Sequence, residues 1–150
     1  MADRLDALFQ EWHRLGGPVL VAEVDTALPM HSPERVIAES TAYCRDSGRL
    51  TWVVLGWLTR NIAQIDEEQL LQETRECGVP SVLGVLCDAA HQRNPHPKFE
   101  RIMRACAAAE RLEPFFRRVA RSGLAMILTQ EHPLEVFRRW NYLCNELRYL

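Results

Sequence analysis

Cys87 and His91 stand four residues apart, with Asp88 between them and His96 five residues further on. On a helix, positions i and i+4 share a face, so a thiolate and an imidazole at that spacing can meet at one metal ion. A stable zinc site takes three or four protein ligands, and only distant residues would complete this set. The simpler reading puts Cys87 on the inner face of a helix and His91 in its last turn, where positive charge suits the negative helix end. The sequence therefore predicts no metal and no cofactor.

Other catalytic patterns are sparse. His13, His31, His96 and His132 are isolated in sequence, and the last two each precede a proline. A Cys/His nucleophile pair would have to assemble from separated residues. There is no His-Glu-x-x-His, no Gly-x-Ser-x-Gly, no phosphate-cradling glycine loop and no dinucleotide fingerprint. Acidic residues gather at Asp66-Glu67-Glu68, which reads as helix-start chemistry. A second group, Glu73 and Glu76 with Arg75 between, reads as an exposed helix pair. Neither resembles a catalytic acid and base, one of which should sit in an apolar pocket. An enzyme would need a non-local site.

Arginine is the more promising residue type. Seventeen arginines stand against a single lysine, Lys98. Their planar, forked donors match carboxylates and phosphates. Three groups fall in the last third: Arg101 and Arg104; Arg117, Arg118 and Arg121; Arg138 and Arg139. If these converge, they form a surface for an acidic protein face or a phosphate backbone. If they do not, they are a solvated face paired locally with Glu100, Glu113 and Glu135. The charge is polarised along the chain. Residues 1–92 carry seven arginines and fourteen acids, a net of −7, while residues 93–150 carry a net of +5. That polarity suits a directional binding surface, or self-association through ends of opposite charge.

The elements that must position these residues read as helices. Start signals occur at Ser32-Pro33-Glu34, Asp66-Glu67-Glu68, His96-Pro97 and His132-Pro133, at steps of 34, 30 and 36 residues. Secondary breaks lie between them at Ser47-Gly48, Val79-Pro80 and Glu113-Pro114. This rhythm predicts an all-α fold of stacked helical hairpins, an α-solenoid-like array of either hand. A compact orthogonal helical bundle is the alternative, because helices of ordinary length with ordinary loops produce a similar spacing. One domain spans 1–150: an N-terminal helix at 3–15, an irregular segment at 16–31, and helical hairpins over 32–150. Leu5, Leu8, Phe9, Trp12 and Leu15 line one face of the first helix. Val19 to Val24 is the most strand-like stretch, but it lacks a partner. Arg49 to Leu58 is apolar almost all round and is placed as a helix at the core centre, with Gly56 admitting a close neighbour. In the third hairpin, Phe99, Ile102, Met103 and Cys106 face inward and the alanines at 107–109 permit close packing. Its partner helix starts near Pro114. The last helix runs from Pro133 nearly to the end, burying Leu134, Phe137, Trp140, Cys144 and Leu147 along one stripe.

Composition bounds the class. At 150 residues, with 47% hydrophobic and 25% charged residues, the chain suits one globular domain. It has no apolar run near the 20 or so residues that cross a bilayer, so no membrane association is expected. Five cysteines, an odd number with no Cys-x-x-Cys, suit free thiols in a reducing compartment. The acidic, amphipathic N-terminus is unlike a secretory signal. The resulting expectation is a non-enzymatic helical protein-interaction or scaffold module of a bacterial cytosolic protein. The alternative is an antitoxin-like accessory or regulatory protein that binds nucleic acid through Arg101, Arg104, Arg117, Arg118, Arg121, Arg138 and Arg139. Trp57→Ala is expected to cost about 3–5 kcal/mol in chemical denaturation if the ring is buried, and a loss under about 1 kcal/mol would contradict its placement in the core.

Overall fold

The structure is a computed structural model and describes residues 2–19, 30–117, 134–146 and 149. It is mostly helical. Helix α1 spans Ala2–Arg14, α2 Pro33–Thr41, α3 Gly48–Asn61, α4 Glu67–Cys77, α5 Pro80–Arg93 and α6 Pro97–Ala105. A four-residue helix, α7, follows at Glu135–Arg138, and short 3-10 turns occupy Cys44–Asp46 and Ile62–Gln64. Two-residue strands β1 (Glu113–Pro114) and β2 (Tyr142–Leu143) pair in parallel, Glu113 opposite Tyr142 and Pro114 opposite Leu143. Among the described residues, no helix is long and apolar enough to cross a membrane.

The helix starts follow local chemistry. Ser32 Oγ accepts from the Arg35 amide at 3.2 Å, with Pro33 in the first helical position. Ser47 Oγ accepts from Leu50 at 3.1 Å. Asp66 Oδ1 accepts from Gln69 at 3.1 Å, and His96 Nδ1 accepts from Lys98 at 3.1 Å. Each satisfies one of the amides that a helix leaves unpaired at its first turn. Pro80 opens α5 directly after Gly78 and Val79. The Gly78 amide closes α4 on Thr74 O at 2.9 Å.

The same caps knit neighbouring helices together. Gln69 Nε2 donates to Ser32 Oγ at 3.2 Å at one end, and the Val79 amide donates to Thr41 Oγ1 at 2.8 Å at the other. Helices α2 and α4 therefore lie side by side and run in the same direction. Gly78 makes this possible, because a Cβ there would stand 2.6 Å from Thr41 Oγ1. Helix α3 packs on α5, and Asn94 Nδ2 joins their far ends by donating to Thr59 O at 2.8 Å. Helix α1 closes the other side of α2: Trp12 Nε1 donates to Ser40 Oγ at 2.9 Å, and its ring meets Trp57 edge-on at 5.7 Å. Trp57 is 4% exposed and donates from Nε1 to Leu15 O at 3.1 Å.

The central helix is α5. Every residue from Ser81 to Ala90 is buried. Helix α3, expected at the centre, is largely buried but turns Trp52 outward at 42% exposure. Nor is Gly56 a point of close approach, since a Cβ there meets only the end of Arg60, at 4.0 Å. The close approach falls at Gly84, where an added Cβ would overlap the ring of Trp140.

The third hairpin and the last helix depart from expectation. Helix α6 stops at Ala105, and Cys106 is extended, with φ −99° and ψ 139°. The alanines at 107–109 do not pack helix on helix; instead the Ala109 amide donates to Trp140 O at 3.1 Å. Pro114 opens no helix but sits in β1, where the restriction it places on Glu113 favours extended backbone. The stripe of Phe137, Trp140 and Cys144 is buried as expected, but not on a single helix. Asn141 adopts a left-handed conformation, φ 61°, which ends helical continuation and turns the chain into β2. Of the segment 16–31, residues 20–29 lie outside the described residues, and so do Pro133 and Leu147.

Gly84→Ala is expected to destabilise the protein by about 1–3 kcal/mol through overpacking against Trp140. Gly56→Ala should stabilise it by up to about 1 kcal/mol, because helix propensity acts there without a clash. Urea denaturation of the two variants checks the pair, and a reversed order would put the close approach at Gly56.

Candidate functional surface

Helix α4 is amphipathic. Leu70 and Thr74 are buried, Glu67, Leu71 and Glu73 are half-buried, and Glu68, Gln72, Arg75 and Glu76 are exposed. Its outward side borders two shallow, adjoining clefts. One, of about 510 Å³, is lined by Ile65, Asp66, Glu67, Glu68, Leu71, Lys98 and Arg101. The other, of about 500 Å³, is lined by Asp66, Glu68, Gln69, Leu71, Gln72 and Arg75. They share Asp66, Glu68 and Leu71, while Lys98 and Arg101 line the first and Arg75 the second.

Helix α6 supplies the far wall. The only lysine, Lys98, donates from Nζ to the carbonyls of Ala63 and Ile65 at 2.9 and 2.8 Å. It thereby satisfies acceptors of the 3-10 turn that leads into α4. Arg101 Nε lies 2.9 Å from both carboxylate oxygens of Glu67. This bond to Arg101 holds the Glu67 carboxyl below its ordinary value near 4.5. Along the second cleft, Arg75 donates to Gln72 Oε1 at 3.0 Å, and Gln72 Nε2 donates to Glu76 Oε1 at 2.6 Å. Glu68 makes no ion pair among the described residues.

Of the seven arginines singled out by sequence, the structure distributes the five described ones over separate elements. Arg101 is paired with Glu67. Arg117 reaches Asp46 at 3.4 Å, and its amide donates to Arg45 O at 3.1 Å. Arg139 forks onto Asp88, with Nε to Oδ2 at 2.9 Å and Nη2 to Oδ1 at 2.6 Å, and also lies 3.5 Å from Glu135. The bond to Asp88 raises the Arg139 pKa above its ordinary value. Arg104 and Arg138 are exposed and form no ion pair among the described residues. Arg118 and Arg121 lie outside the described residues. Three of the arginines thus serve acids within the chain itself.

Two residues that sequence reasoning passed over carry more of the structure. Asp88, read as a neighbour of a metal pair, is a buried acid that binds Arg139 and also accepts from Trp140 Nε1 at 3.0 Å. Its signal was present in sequence, because a carboxylate amid Val82–Ala90 must find a partner. Arg45 donates to Phe115 O and Pro114 O, each at 2.9 Å, pairs with Glu113 at 3.0 Å and lies over the Tyr142 ring. No local pattern announces that role. Glu73, expected to be exposed, is instead bound by Arg35 Nη1 at 3.0 Å.

The candidates for chemistry resolve into structural duties. His91 Nδ1 accepts from the His96 amide at 3.1 Å, and its Nε2 lies 3.4 Å from Glu100. Burial pushes the Cys44 thiol up to about 12 and Cys106 up to about 11, and raises Cys87 in the same direction. These three are therefore thiols rather than thiolate nucleophiles near neutral pH. Among the described residues, no group of three His, Cys, Asp or Glu side chains is placed to hold a metal ion. His31, isolated in sequence, meets the buried carboxylate of Glu11 through Nδ1. Comparison with protein families, with curated proteins and with solved structures finds no match for this chain.

Because the native Glu67 carboxyl titrates below its ordinary value, its pair with Arg101 contributes fully above about pH 4.5. That contribution is lost as pH falls through the lowered native value. Glu67→Gln should flatten this part of the acid limb in pH-dependent urea denaturation, and only slightly, because the pair is exposed. An unaltered acid limb would show that Arg101 contributes nothing through Glu67.

Proposed function

We propose that this chain is a non-enzymatic docking module, in which hairpins α2–α3 and α4–α5 act as units of a solenoid-like stack. Its partner is a basic segment of another protein, lying along the outward side of α4. The observation carrying this reading is the pair of adjoining clefts on α4, with Leu71 as an apolar seat and Asp66 and Glu68 as an acidic rim. Charge complementarity selects the occupant: the net of −7 over residues 1–92 favours lysine or arginine flanking one apolar anchor. An exposed acidic rim contributes steering and specificity, while the buried anchor contributes affinity. Thiols raised by burial and the use of His91 and His96 in loop and cap bonds also favour a binding role over catalysis.

The second reading, nucleic-acid binding, draws on Arg104 and Arg138, whose guanidinium groups have no ion pair among the described residues. A phosphate-directed surface would lose affinity linearly in log–log salt titration. The α4 surface would respond to changes in its own acids instead.

Fluorescence anisotropy with a labelled amphipathic peptide, leucine at one anchor position flanked by lysines, tests the proposal. The peptide should bind the native protein, and its leucine-to-serine and lysine-to-glutamate counterparts should not. Glu68→Lys should weaken binding about tenfold, equivalent to about 1.4 kcal/mol, while Glu110→Lys, off this surface, leaves it unchanged. Equal losses from both reversals, or equal binding of the acidic peptide, would refute the α4 surface. Tight duplex binding abolished by Arg104→Glu with Arg138→Glu would install the second reading.

A further inference from the structure

Residues 104–112 read Arg-Ala-Cys-Ala-Ala-Ala-Glu-Arg-Leu. Apart from Cys106, every residue is a strong helix former, and none is glycine or proline. The apolar spacing of α6 also continues through them: Phe99, Ile102, Met103, Cys106 and Ala109 all pack on the core. Yet the helix ends at Ala105, and 106–112 is irregular. The irregular form buries little, since Ala107, Ala108, Glu110, Arg111 and Leu112 are all exposed. A segment whose local preference contradicts its conformation is held by something outside itself.

The restraint is identifiable. Ala109 N–H donates to Trp140 O at 3.1 Å, and its carbonyl accepts from Asn141 Nδ2 at 2.7 Å. Glu113 N–H lies 3.4 Å from Asn141 O, at the start of the β1–β2 pairing. In a continued helix, Ala109 N–H would bond Ala105 O, and Ala109 O would receive Glu113 N–H. The two arrangements use the same backbone groups and exclude each other. Asn141 sits at the centre of the restraint, in the left-handed region that asparagine tolerates.

We infer that 106–112 is a two-state element, irregular while the Trp140 and Asn141 contacts hold Ala109 and a continuation of α6 when they release it. Pro114 fixes the far limit, because the residue before a proline disfavours helix. Winding α6 through Leu112 costs the 113–114 pairing with 142–143. It also brings Arg111 onto the same side as Arg101 and Arg104, at helical steps of three and seven residues. The state of the C-terminal segment thereby sets whether these three arginines form one continuous face. This inference is independent of the α4 docking surface.

Hydrogen exchange on the whole protein tests it first. The amides of Ala109, Glu113 and Phe115 should exchange together through a partial opening, well ahead of the α5 amides. Exchange of these amides only with global unfolding would overturn the inference. Asn141→Gly keeps the left-handed turn and removes the carboxamide, and Asn141→Asp replaces the donor with an acceptor. In either variant, backbone chemical shifts of 106–112 should move to helical values, and adding Ala107→Gly with Ala108→Gly should reverse them. Residues 106–112 that stay irregular in a folded Asn141 variant would also overturn it; should neither variant fold, the exchange result decides.

Discussion

A single carboxylate, Asp88, sets the outer form of this molecule. It lies on the central helix at 3% exposure, between Cys87 and Ala89, where water cannot solvate it. A buried charge requires a partner and hydrogen bonds for its remaining lone pairs. Arg139 provides two, and Trp140 Nε1 a third. Hydrogen bonds to charged groups contribute roughly 1.5–3 kcal/mol each, and those to Asp88 come from adjacent residues of one segment. The choice of that segment has consequences. Once Arg139 and Trp140 are fixed, the Trp140 ring lies on Gly84 and Tyr142 OH meets Ser81 Oγ at 2.7 Å. Ser81, Gly84 and Asp88 are spaced by three and four, so α5 presents a stripe of two polar residues and a gap along one side. The C-terminal chain fills that stripe with a tyrosine, a tryptophan and an arginine.

This anchoring explains why the described stretches 106–117 and 134–146 are largely irregular, unlike the helices that precede them. The helices before α6 bury their faces in pairs: α2 on α4, and α3 on α5. Helix α6 also packs on α5. The Asp88 anchor already occupies one side of α5, and Arg45 takes hold of the chain at Pro114 and Phe115. Phe115 then packs in edge-to-face contact with Phe116, Phe137 and Tyr142, at 4.9 to 5.2 Å between ring centres. Aromatic packing of this kind adds to the burial of each ring. The parallel pairing of 113–114 with 142–143 is a by-product of bringing these two stretches together. Two residues per strand make too little ladder to stand alone.

The sequence disclosed what local chemistry decides and concealed what distant pairing decides. Ser32, Asp66, Pro80 and His96 open helices because a side-chain acceptor, or a missing N–H, at those positions acts within one turn. The stripes of Leu8, Phe9 and Trp12, and of Phe99 and Ile102, are likewise local periodicities. Gly56 and Gly84 each sit in an apolar helix, in Leu-Gly-Trp-Leu and Leu-Gly-Val-Leu; only the docking of Trp140 from 56 positions away tells them apart. The alanines at 107–109 favour helix by themselves and lose that preference to contacts with residues 140 and 141. On the surface, the acids of α4 were legible as a helix start, but not as the rim of a cleft. Their neighbours Lys98 and Arg101 arrive from a helix thirty residues later. The arginines were legible as a group, although three of them answer to acids inside the chain.

That division assigns the two ends of the molecule different work. On the outward side of α4 the bonds are made by caps and by exposed ion pairs, and Leu71 supplies the apolar contact, while Leu70 belongs to the core. Around 106–117 and 134–146 the bonds are long-range and interlocking, and they hold a helix-forming segment away from its local preference. Exposed pairs such as Arg101–Glu67 are each worth little. The Asp88 cluster cannot be given up so cheaply, because its loss leaves a carboxylate buried and unpaired. Release of Ala109 therefore need not begin at Asp88. The weaker contacts at Ala109 and Glu113 can open while Arg139 and Trp140 Nε1 remain in place, so α6 can change length on a scaffold whose centre stays fixed.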